Sequence, residues 1–188
     1  LQRAGKIPEA IEEYKILIKK DGGNVDLYFD LAGMQMYSGK YKESIASFNE
    51  IEKRAGITEE LSIQKEKIYI KMGDVDGAAN EIQQLIDHEP DNLKYQVLLA
   101  DLYMANDLDE KASKVYHEIL GKDPQNPYAN LSLYDYYKKK GENDKASVVL
   151  KKAFESTELG IDAKMKILLS YYSTKEIKQK KEAFELCQ

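Results

Sequence analysis

Two histidines, one cysteine and many carboxylates are the residues of this 188-residue chain whose types could do chemistry. His88 stands just before Pro90 at the end of an apolar-periodic segment, where an imidazole can meet the last carbonyls of a helix. His117 lies beside Tyr116 and Glu118, but no cysteine or second histidine stands at metal-ligand spacing from it. Cys187 has no histidine close in sequence. Nucleophilic thiol chemistry requires a lowered pKa or an adjacent base, so Cys187 reads as a free core thiol. The carboxylates come with lysines at helical spacing, as in Glu9, Glu12 and Glu13 with Lys15 and Lys19, the pattern of a solvated helix face. Gly22-Gly23 reads as a loop after a helix rather than a phosphate cradle. Nowhere does the sequence carry a nucleophile elbow or an HExxH pair. Lys138-Lys139-Lys140 falls in the last turn of a helical segment, where cations complement the macrodipole. These residues lead us to expect no enzyme, no cofactor and no metal site.

Composition narrows the class. With 43% hydrophobic and 32% charged residues, four prolines and eleven glycines, the chain is too apolar for disorder and too charged for a membrane protein. No run approaches the roughly 20 apolar residues that span a bilayer, so direct membrane insertion is not expected. A net charge of −5 leaves no basic footprint for nucleic acid. The amino terminus lacks a basic patch followed by an apolar stretch. Leu1 stands where an initiating Met would, so the chain is expected to be a fragment of a longer or processed protein, which leaves room for a signal or anchor upstream. The lone cysteine says nothing about redox compartment.

Such residues must be positioned by repeating elements. Gly39, Gly73, Asp107 and Gly141 recur every 34 residues, and Ser44, Ala78, Ala112 and Ala146 keep the same spacing. Four residues further stand Phe48, Ile82, Tyr116 and Leu150. Tyr69, Tyr103, Tyr137 and Tyr171 form another column. Pro90 and Pro124 close their units, with Gly56 and Glu158 in the equivalent places. Apolar residues recur at three- and four-residue steps on both sides of the glycine column, which predicts two helices per unit. Glycine at 39, 73 and 141 supplies the left-handed conformation that ends the first helix. Asn126 reads as an N-cap, and Pro127 suits a first helical position.

These columns resemble the tetratricopeptide repeat family, whose unit is a 34-residue helix-turn-helix with W-x2-L-G-x2-Y, then A-x3-F, then Pro. Tyr28, Leu31 and Ala32 stand at the Trp, Leu and Gly places, and Leu99, Ala100 and Tyr103 repeat the theme. No Trp occurs; Lys65 and Glu66 replace one Leu-Gly pair, and Tyr134 replaces another small residue. The resemblance implies an all-α fold, a right-handed alpha-alpha superhelix of antiparallel helix pairs. Full repeats are expected at 25–58, 59–92, 93–126 and 127–160, with a partial repeat at 1–24 and a partial or irregular one at 161–188. In the last segment Lys180 falls where the small alanine belongs. A short insertion near Ser173 to Glu176 would restore Ala183 and Cys187 to register. Apolar Leu1, Ile7, Phe184 and Leu186 are expected near uncovered ends, favouring weak self-association.

In this family the first helices line a concave surface that holds a protein or peptide partner. Carried over by position, the resemblance implies a binding groove of Phe29, Met36, Tyr37, Ile63, Lys67, Val97, Asp101, Met104, Tyr128, Leu131 and Asp135. The remaining such positions hold Asp26, Gly33, Glu60, Ile70, Lys71, Lys94, Ala105, Lys138 and Lys139. Phe29, Met36, Val97 and Met104 are expected to have no packing duty, since Leu31, Ala32, Leu99 and Ala100 already supply it. The Lys and Asn pair with which one subgroup clamps chaperone carboxyl termini is missing. The expected function is a non-catalytic protein-interaction scaffold; the alternative is a structural or assembly segment of a larger envelope-associated protein. The style resembles long bacterial members that carry export signals, which favours periplasm or envelope over cytoplasm.

Overall fold

The structure, a computed structural model, describes residues 6–172. Ten α-helices make up its regular structure, and no strand occurs among the described residues: α1 Ile7–Lys20, α2 Val25–Tyr37, α3 Tyr41–Ala55, α4 Glu59–Met72, α5 Val75–His88, α6 Leu93–Ala105, α7 Asp109–Lys122, α8 Pro127–Lys140, α9 Asn143–Glu155 and α10 Ile161–Tyr172. The expected insertion near Ser173 to Glu176, together with Leu1, Lys180, Ala183, Phe184, Leu186 and Cys187, lies outside the described residues. Ile7 is half-buried.

Tight turns reverse the chain between the helices of each pair. At the end of α4, Gly73 has φ +72°, and the Asp74 N–H donates to the Tyr69 carbonyl at 2.9 Å. This is the Schellman closure, which satisfies an orphan carbonyl of the last turn. Asp74 then caps α5, its carboxylate accepting from the Gly77 N–H at 2.8 Å. One residue thus stops one helix and starts the next. Gly39, Gly141 and Asp107 repeat the left-handed turn, Asp107 at φ +57°, a conformation its short polar side chain tolerates. Asn126 accepts from the Ala129 N–H at 3.0 Å at the start of α8, with Pro127 in the first turn.

The chain separates into two compact units, with the boundary inside α6 between Tyr95 and Gln96. In the first, α2 packs on α3 and α4 on α5, while α1 covers α2 and α3 meets α4. Its core gathers Ala32, Ile45, Phe48, Ile51, Leu61 and Ile68. Small residues let the paired helices approach: Ser44 and Ala78 are fully buried, and the Ser44 hydroxyl donates to the Ala32 carbonyl at 2.7 Å. In the second unit α8 packs on α9 and against α7. Buried Ala112, Tyr116, Ile119, Leu133, Ala146 and Leu150 build its core. Burial of apolar surface at about 25 cal/mol per Å2 is the main stabilising contribution in both.

Candidate protein-binding surfaces

The helices α2, α4, α6 and α8 carry the expected groove residues, and the structure treats those residues unequally. In the first unit Met36 from α2 and Gln64, Glu66, Lys67, Ile70 and Lys71 from α4 line an open cleft of about 380 Å3. Ile70 is 39% exposed, and Tyr37, the last residue of α2, is 78% exposed. Burial pushes the Glu66 carboxyl above its ordinary value, with neighbouring Lys67 pulling it the other way. Gln64 and Glu66 were not among the expected residues. They enter because the cleft follows the side of α4 that leans towards α2, which spacing on one helix cannot specify.

Phe29 and Met36 correct an expectation. Both are half-buried and pack against the core cluster, and the Phe29 ring meets Phe48 edge-on at 5.6 Å between centroids. They therefore have packing duty, because the small Ala32 and Ser44 bring α3 close enough for Phe48 to reach the α2 face. Ile63 is also half-buried, and Lys67 is exposed.

In the second unit Asp101 reaches the buried Tyr116. Tyr116 donates to an Asp101 carboxylate oxygen at 2.8 Å; burial above all pushes its pKa far up, Ser132 opposes that rise, and the Asp101 and Asp135 charges add to it. Desolvation raises the Asp135 carboxyl as well. Val97, Met104 and Leu131 are half-buried, and Tyr128 is 57% exposed.

The residues first weighed for chemistry are occupied otherwise. His88 ends α5. One ring nitrogen of His117, Nδ1, lies 2.7 Å from the Ser113 carbonyl, and the other, Nε2, is 3.1 Å from the Tyr137 hydroxyl. Lys139 pairs with Asp109 at 2.6 Å, and Lys140 with Glu110. Among the described residues no group of three or more His, Cys, Asp or Glu is placed to hold a metal ion.

Sequence reasoning treated Lys65 as a departure and missed what it does. It is 1% exposed, pairing with Glu81 of α5 at 2.7 Å and Glu52 of α3 at 3.0 Å, while its ammonium also donates to Asn49 at 3.2 Å. The Glu81 contact is an ion pair between two side chains withdrawn from water.

Comparison with known proteins decides what such helix pairs are. Family profiles described as tetratricopeptide repeat match residues 1–58 and residues 69–131. The chain belongs to the tetratricopeptide repeat family. Its fold is similar to a crystal structure of MamA, at a TM-score of 0.55 and 23% identity over 82% of this chain and 90% of that one. A MamA from Desulfovibrio magneticus RS-1 matches at TM-score 0.52 and 17% identity, covering 82% of this chain and 87% of that one. YrrB, described as a TPR protein with an unusual peptide-binding site, matches at 0.52 and 15% identity, over 82% and 80%. No curated protein matches the chain. At these identities the likeness is one of fold: an all-α tetratricopeptide solenoid.

Tetratricopeptide arrays are protein-interaction scaffolds and generally non-catalytic, since each unit buries its apolar stripe against its neighbours and leaves an extended surface. No described helix is long and apolar enough to cross a membrane.

Proposed function

We propose that this chain binds a partner protein or peptide through the faces of its first helices, α2 and α4 in one unit, α6 and α8 in the other. The observation that carries the reading is the exposure of Tyr37 and Tyr128, 78% and 57%, at positions that face ligand in this family. Tyrosine gives large contact area for two side-chain torsions, which suits it to anchor an interface. The reading also takes in Met36, Ile63 and Lys67 of the first unit and Val97, Asp101, Met104, Leu131 and Asp135 of the second. Phe29 supports the first surface from beneath, through Phe48. YrrB, a fold neighbour, is described as having a peptide-binding site, which is consistent with an extended ligand. The test replaces Tyr37 and Tyr128 by Ser, positions where little packing is lost. Thermal stability should hold, and capture of the native partner should weaken at least about tenfold. Full capture by a folded variant refutes the reading.

A further inference from the structure

The cleft of the first unit has a chemistry that specifies its occupant. Met36 and Ile70 give it an apolar wall, and Gln64 brings a side-chain amide that can donate to and accept from a peptide backbone. Lys67 and Lys71 stand one helical turn apart on α4 and are both exposed. Several other cations of the same unit are held in ion pairs, Lys53 and Arg54 sharing Glu50 and Lys94 meeting Glu59. Lys71 has neither ion pair nor hydrogen bond among the described residues. Lys67 feels the neighbouring Glu66, whose carboxyl is half-withdrawn from water. Two cations beside an apolar wall, one of them uncommitted, complement an anion attached to a hydrophobic side chain.

We infer that the cleft between α2 and α4 binds an acidic peptide segment, seating one large apolar side chain on Met36 and Ile70 and directing its carboxylates to Lys67 and Lys71. This rests on the groove reading above and adds the class of ligand. Charge complementarity of this kind fixes register and speeds encounter, and it weakens with salt. The apolar contact does not depend on the sign of the peptide's charges and adds to the affinity through buried area.

The test uses the full chain and fluorescein-labelled synthetic peptides read by fluorescence anisotropy. One has a central Leu flanked by Glu, the second replaces Glu by Lys, and the third replaces Leu by Ser. The Glu/Leu peptide should bind at least tenfold more tightly than either relative, and its affinity should fall as salt rises. The doubly substituted Lys67→Glu/Lys71→Glu chain, whose changes lie on the exposed surface, should lose at least tenfold for that peptide and gain affinity for the Lys/Leu one. Equal binding of all three peptides to the unmodified chain overturns the proposal, whatever the variant does. So does preference for phosphatidylserine vesicles over the peptide. If the peptides fail to discriminate while Tyr37→Ser/Tyr128→Ser still abolishes partner capture, the ligand class is wrong and the groove survives. If that double variant also captures fully, the groove is wrong too.

Discussion

The Lys65 ammonium lies 2.7 Å from a carboxylate oxygen of Glu81, with the two side chains 1% and 4% exposed. Glu52 holds the other side of the ammonium, so one cation ties α3, α4 and α5 together where the family usually places small or apolar residues. Breaking a buried pair by removing one partner leaves an uncompensated charge, at a cost of about 3–5 kcal/mol. Lys65→Met should therefore destabilise the first unit by that order at neutral pH.

The effect should depend on pH. Burial pushes the Glu81 carboxyl above its ordinary value, against the pull of Lys65. A carboxyl whose folded pKa is raised contributes stability at pH below its unfolded value, and that contribution is lost as pH rises through the folded pKa. In Lys65→Met the pull disappears and the folded pKa climbs further. Its deficit should shrink as pH is lowered from 7 towards 5. Urea melts across that range check this, and a deficit that grows on acidification contradicts it. Glu81→Gln should cost less, because Glu52 still pairs with Lys65.

Gly77 and Gly33 make an opposed pair. A Cβ on Gly77 would meet two Tyr69 ring carbons at 2.5 and 2.7 Å, whereas one on Gly33 meets nothing within 4 Å. Helix propensity favours Ala over Gly by about 1 kcal/mol at either site. Gly33→Ala should realise that gain. Gly77→Ala should instead lose about 1–3 kcal/mol, because overpacking forces the Tyr69 ring to move. Equal shifts in the two melts would show that Tyr69 yields freely.

Much of the fold was legible because its determinants are local. Glycine at 39, 73 and 141 marked turns that do have positive φ, and Asn126 and Pro127 marked the start of α8. The periodic alanines are buried as that spacing requires. What escaped was set by partners on other helices. Lys65 read as a lapse because Glu52 and Glu81 lie far along the chain. Phe29 read as free because nothing in α2 announces Phe48. The cleft's Gln64 and Glu66 have no distinguishing spacing at all.

The buried column carries a further consequence. Ala112 and Ala146 are 0% and 1% exposed, on the second helices of their pairs. Ala112→Leu and Ala146→Leu should each cost about 1–3 kcal/mol. Differential scanning calorimetry measures this, and unchanged melts for both would mean that the helix pairs can separate at little cost.

The measurement that reaches the central claim most directly is site-specific photo-crosslinking in the native cell. A benzophenone side chain is placed singly at Tyr37, Ile70 or Tyr128 on the first helices, and at exposed Val148 or Lys151 of α9 on a second helix. The account predicts crosslinks to partner protein from residues 37, 70 and 128, and little from 148 or 151. Crosslinks concentrated at 148 and 151, with none from the first-helix positions, would contradict it.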